Sequence, residues 1–127
     1  MFQFMKPEDT RCYGLGEKML GLEVSNVKTK FWNTDVWADF DQAVFKDGHP
    51  DPMYVSVPYI AIKCKDHWVG LLEDNPHATF IRTNNSISIA DQLDAQEQPD
   101  LESITIGSEK GQPRLVVIVA KTIAELT

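Results

Sequence analysis

The sequence predicts an all-β, antiparallel fold closed by a C-terminal helix, in one domain of 127 residues. Three observations carry that prediction. Short runs rich in β-branched and aromatic residues recur along the chain. Turn chemistry such as Lys65-Asp66, Asp74-Asn75-Pro76 and Asn84-Asn85 separates them. Two of the runs lie close enough to form a hairpin, which makes the pairing antiparallel.

The elements follow in order. Residues 11–14 and 28–32 are short strand candidates. The run 53–63 is the strongest, with Val55, Val57, Tyr59 and Ala61 on one side of a period-2 pattern. Pro58 cannot donate to a ladder, so it marks an edge or a bulge. The turn at Lys65-Asp66 leads into a strand over 67–73, giving the hairpin. Residues 78–83 and 86–90 read as strands around Asn84-Asn85, and 102–107 as another. The stretch 35–52 reads as a long acidic loop carrying Asp39, Asp41, Asp47 and Asp51. Loops of that length in compact domains are usually functional or disordered. The polar stretch 91–100 reads as a solvated connection. At the C-terminus two signals compete. Leu115, Val119, Thr122, Ile123 and Leu126 share a helical face, and Pro113 suits a first helical turn. Val116-Val117-Ile118-Val119 is a β-branched run that favours strand. A helix over 113–127 is the expectation, with a strand in its first half as the alternative.

Composition narrows the function. The formal charge is −7, from 12 basic and 19 acidic residues. That is a poor footprint for phosphate backbones or anionic membrane surfaces. No apolar run approaches the roughly 20 residues that span a bilayer, and the first residues lack a signal-peptide pattern. Cys12 and Cys64 do not make a disulfide framework and read as free thiols. A cytoplasmic location is the expectation.

The motifs divide into weak and informative ones. Gly14-Leu15-Gly16-Glu17 lacks the third glycine of a dinucleotide loop, because position 19 is Met19, so it reads as a tight turn. His49, His67 and His77 stand apart in the sequence, and no Cys-x-x-Cys or His-x-x-x-His spacing exists. The acidic loop lacks the order of a calcium loop. No metal and no cofactor is therefore expected. Asn84-Asn85-Ser86 fits the N-glycosylation pattern, without a secretory signal to give it meaning.

Phe31-Trp32-Asn33-Thr34-Asp35-Val36-Trp37 is the most informative stretch. Flat aromatic faces pack on the C–H faces of sugar rings, and Asp and Asn side chains pair with hydroxyls. An aromatic beside a carboxylate at a loop mouth is saccharide-binding chemistry. The plain structural alternative is that Trp32 belongs to the core and Trp37 caps the loop.

The order of the pieces adds a resemblance. Tyr13-Gly14-Leu15-Gly16-Glu17 is followed by Trp32-Asn33-Thr34-Asp35. Then come Asp51-Pro52-Met53-Tyr54-Val55-Ser56-Val57-Pro58-Tyr59 and Trp68-Val69-Gly70-Leu71-Leu72-Glu73-Asp74-Asn75-Pro76. This series resembles the N-terminal β-sandwich of the family 31 glycoside hydrolases, the α-glucosidase family. Ile123-Ala124-Glu125-Leu126-Thr127 is similar to the helix that leads into their catalytic barrel.

The resemblance implies a galactose-mutarotase-like supersandwich, here incomplete, whose partner is a (β/α)₈ catalytic barrel. It implies that Asp35 reaches the sugar in the innermost subsite, that Trp37 lines the next one, and that the parent cleaves α-linked oligosaccharides with retention. Retaining hydrolysis needs two carboxyl groups about 5–5.5 Å apart. In the family both stand on the barrel, and the nucleophile's motif is missing from this sequence. The chain alone is therefore expected to be non-catalytic. Apolar surface left without the barrel would favour self-association. The alternative is a stand-alone carbohydrate-binding or protein-interaction module on the same sandwich. A small mutarotase-like enzyme would need a general base with a partner acid, and none of the three histidines is read as half of such a pair.

Overall fold

A computed structural model describes residues 1–18, 20–33, 55–83 and 102–127, together with the backbone of 45–46 and 49–50. The described residues form β1 (Phe2–Met5), β2 (Arg11–Gly14), β3 (Lys28–Phe31), β4 (Phe45–Lys46), β5 (His49–Pro50), β6 (Tyr59–Lys63), β7 (Trp68–Glu73), β8 (Thr79–Arg82), β9 (Ser103–Ser108), β10 (Leu115–Ala120) and α1 (Ile123–Leu126). All strand pairs are antiparallel. One four-stranded sheet has the order β1-β9-β8-β3 and the other β10-β7-β6-β2, while β4 and β5 pair separately.

Residue alternation builds the layers. In the first sheet, register places Phe4 opposite Ile104, Ile106 opposite Ile81, and Phe31 opposite Thr79. In the second it places Cys12 opposite Ile62 and Ile60 opposite Leu71. Phe31, Ile81, Ile104 and Ile106 meet Cys12, Ile60, Ile62 and Leu71 in one buried cluster. This is the inner layer of a sandwich, in which each strand sends every second residue inward. Of the strong run at 53–63, the row of Ile60 and Ile62 is the core-facing one. Val55 and Val57 precede the strand and are exposed. Pro58 stands just before the strand, and its carbonyl accepts the Glu73 N–H at 3.1 Å.

The expected hairpin is present. β6 and β7 pair from Tyr59↔Leu72 to Lys63↔Trp68, and Cys64 N–H donates to the His67 carbonyl at 2.9 Å across Lys65-Asp66. The glycine-flanked turn is also as read. Gly14, Leu15 and Gly16 all have positive φ, at 109°, 70° and 64°. A non-glycine residue in that region is uncommon. Leu15 holds it because its side chain is buried in the core and its N–H donates to the Tyr59 carbonyl at 2.9 Å.

Three expectations change. The stretch 113–127 is not one helix. Leu115–Ala120 is a strand paired along its whole length with β7, and only Ile123–Leu126 is helical. The β-branched run prevails because the edge of β7 satisfies its backbone groups, which a helix would leave β7 to find elsewhere. The helix starts where the Glu125 carboxylate reaches back to the N–H groups of Lys121 (2.8 Å) and Thr122 (3.4 Å). Second, the expected loop 35–52 contains the two-stranded ladder of β4 and β5. Asp47-Gly48, the residues between them in sequence, are a favoured pair for a two-residue hairpin loop. Third, β1 adds a strand at the N-terminus that composition did not suggest. The strand expected at 86–90 and the connection at 91–100 lie outside the described residues. Among the described residues no helix is long and apolar enough to cross a membrane.

Candidate functional site

The chain leaves β3 at Phe31, and the next two residues are surface-facing. Trp32 is 54% exposed, so it is not the core residue that the structural alternative made it. It stands between two clefts. One, of about 580 Å³, is lined by Trp32 and Asn33 from the β3 exit, Ser56 and Pro58 from the entry to β6, and Glu73, Asp74 and Asn75 from the end of β7, among others. The other, of about 370 Å³, is lined by Trp32, Lys30, His77, Ala78, Glu109 and Lys110.

The Asp74-Asn75-Pro76 turn is built as its chemistry suggests. The Asn75 side-chain oxygen accepts the His77 N–H at 2.8 Å, closing an Asx turn. Its amide nitrogen donates to Ser108 Oγ (3.1 Å) and to the carbonyls of Lys110 and Gln112 (both 3.3 Å). Asn75 therefore fastens the β7–β8 turn to the β9–β10 turn. Asp74 adds an ion pair with Arg114 at 3.5 Å. At Gly111, with φ of 78°, an added Cβ would come 2.7 Å from the His77 ring, which is why the second turn can lie so close. The cleft wall is thus held by an amide, and Trp32, Asn33 and Asp74 belong to the cleft lining.

Below them lies a polar floor that the sequence reading did not single out. Glu73 is 1% exposed. One of its oxygens accepts the Arg114 N–H at 3.3 Å, and the other is buried without a hydrogen-bond partner among the described residues. Burial, the largest influence, raises its pKa above the ordinary carboxylate value. Ser56 Oγ, also in the cleft lining, is likewise buried without a partner among the described residues. The signal for Glu73 was parity, since it shares the inward row of β7 with Leu71 and Val69.

Other candidates separate. Asp35 and Trp37 lie outside the described residues. His67 bonds its neighbour Asp66 at 2.7 Å, and this contact holds the exposed Asp66 carboxyl below its ordinary pKa. Cys12 and Cys64 are free thiols. Burial pushes the Cys12 thiol up to about 11, so it is not a nucleophile near neutral pH. Among the described residues no three His, Cys, Asp or Glu side chains gather as metal ligands.

The arrangement offers an aromatic face beside amide and carboxylate groups at the mouth of a cleft, which is chemistry suited to a polyhydroxylated ligand. No curated protein and no solved structure matches the chain. A family model does match, over residues 1–81, a span that includes the Tyr13-to-Glu17 turn, Trp32-Asn33, the entry to β6 and the Asp74-Asn75-Pro76 turn. The chain therefore belongs to the family of glycosyl hydrolase 31 N-terminal galactose mutarotase-like domains.

Proposed function

We propose that residues 1–127 act as the non-catalytic N-terminal sandwich of an α-glucosidase-type enzyme and lend it a sugar-binding loop. The loop leaves β3 through Trp32 and Asn33. Asp35 accepts hydrogen bonds from hydroxyls of an α-linked sugar, and Trp37 lines the adjoining subsite. The acid pair that cleaves the bond stands on a separate catalytic barrel. The observation that carries this reading is the exposed Trp32 beside Asn33 and Asp74, two and three residues ahead of Thr34 and Asp35 on the same stretch of chain. A chain built to finish its strand in the core would bury that indole.

Binding titrations of the pure chain with maltose, followed by tryptophan fluorescence, test the reading. The expected result is millimolar or weaker affinity, because one wall of the site is supplied by another domain, and loss of that binding in Asp35→Ala. No turnover of an aryl α-glucoside is expected. Turnover by the pure chain, abolished in Asp35→Ala, would overturn the non-catalytic assignment. Micromolar sugar affinity would favour a self-sufficient binding module.

A further inference from the structure

β10 ends its sheet and is apolar over all six residues, Leu-Val-Val-Ile-Val-Ala. Backbone alternation identifies its unused groups. Asp74 N–H donates to the Arg114 carbonyl at 2.7 Å, whereas Glu73 N–H turns the other way, to Pro58. Direction alternates residue by residue along an antiparallel ladder. With the observed register, Val116, Ile118 and Ala120 face β7, and the N–H and C=O groups of Leu115, Val117 and Val119 point off the sheet edge. Among the described residues no strand lies beyond them. Both side-chain faces are also partly exposed. Val117 and Val119 are 53% and 68% exposed on one, and Val116 and Ile118 are 41% and 38% exposed on the other. Soluble proteins normally interrupt such an edge with a charge, a proline or a bulge, and β10 has none.

We propose that β10 pairs with β10 of a second copy of this chain, antiparallel, about a two-fold axis at Val117. The strand complements itself in this register. Val117 faces Val117, and Leu115 faces Val119 of the second copy, so the outward groups of both strands meet. Every cross-strand pair within β10 is aliphatic or ends on alanine. In this register the flanking cations stay apart. Arg114 then lies opposite Ala120 and Lys121 opposite Pro113. A one-residue shift would set Arg114 against Lys121 and turn inward-bonded groups toward the partner. The two four-stranded sheets become one of eight strands.

The contact is small. The exposed parts of Val116, Val117, Ile118 and Val119 add up to about two whole aliphatic residues per copy, at ~60–120 Å² of apolar area each. That is well short of the ~1,200 Å² of a stable interface, so the dimer is a weak one. Each copy carries −7. Long-range repulsion therefore opposes pairing, and salt, by screening it, strengthens the dimer.

Sedimentation of the 127-residue chain from roughly 1 μM to 1 mM, at low and high salt, tests this over the span of weak association. A monomer–dimer equilibrium that tightens with salt is expected. Val117→Lys sets two ammonium groups face to face on the axis and should weaken it at least about tenfold, with an unchanged circular-dichroism spectrum. In a Cys64→Ser background, Val117→Cys should cross-link to itself on oxidation, since hydrogen-bonded pairs stand ~5.5 Å apart between Cα atoms. Ile118→Cys faces Val116 of the second copy and should stay reduced. A monomer at every concentration, a dimer indifferent to Val117→Lys, or equal cross-linking at 117 and 118 would overturn the proposal.

Discussion

β9 and β10 are both six residues long and each joins its sheet by antiparallel pairing, yet their burial is opposite to their composition. β9 reads Ser-Ile-Thr-Ile-Gly-Ser and is buried over its first five residues. β10 is wholly apolar and is exposed over its middle four. Sheet order explains the inversion. β9 has β1 on one side and β8 on the other, whereas among the described residues β10 has only β7. The polar groups of β9 are satisfied where they are buried, as when Gln3 Nε2 donates to Ser103 Oγ at 3.1 Å. Hydrophobicity sets what burial is worth to a residue, and neighbours decide whether it happens.

That contrast can be broken or sharpened in solution. The largest effect should come from Ile106→Ala in β9. Its side chain is fully buried in the core, so the cavity should cost about 2–5 kcal/mol in chemical denaturation. If the loss were below ~1 kcal/mol, β9 would not be the central strand described here.

The second sheet offers a milder comparison between its own edges. β2 is closed off by the Tyr13↔Glu23 bridge and the Gly14 turn, while β10 is open. Gly14→Ala adds a Cβ 3.0 Å from the Tyr59 carbonyl at a φ of 109°. A loss of about 1–3 kcal/mol is expected in the same assay.

Glu73, opposite Leu115 at the start of β10, should give a pH signature. Its folded pKa is raised, so the folded state holds the proton more tightly than the unfolded one. Its unfavourable contribution is present above the folded pKa. It is relieved as pH falls through that value toward the unfolded one. The stability of Glu73→Gln relative to the parent should therefore be more favourable at neutral pH than at pH near 4.5. An unchanging difference across that window would place the ionised carboxylate in water.

The smallest effect belongs to Val119→Thr. At 68% exposure it should change the stability of the monomer by no more than about 0.5 kcal/mol. A larger loss at low protein concentration would mean that β10 is covered within one copy.

Much of the fold was legible because its signals are local. The hairpin at Lys65-Asp66, the positive-φ turn at Gly14 and Gly16, and the Asx turn at Asn75 each follow from residues within a few positions of one another. The errors lie where two local signals tie or where the deciding partner is remote. Residues 113–127 carried both a helical stripe and a β-branched run, and the free edge of β7 resolved the tie. Trp32 reads more readily as a core residue by sequence, and the turn of the chain after Phe31 put it outside. The cleft was half legible. Trp32 and Asn33 stood out by type. Glu73 and Ser56 did not, because an isolated buried polar group is recognisable only once the layers above it are known.

The sequence by itself determined the β6–β7 hairpin, the turns and the family, since period-2 alternation and glycine, proline and asparagine conformations act over neighbouring residues. Only the tertiary structure decided which strands stand inside a sheet and which at its edge. Burial depends on neighbours brought from 41 or 100 positions away, as between Glu73 and Arg114 or Gln3 and Ser103. No pattern within a single strand encodes the presence of the next one.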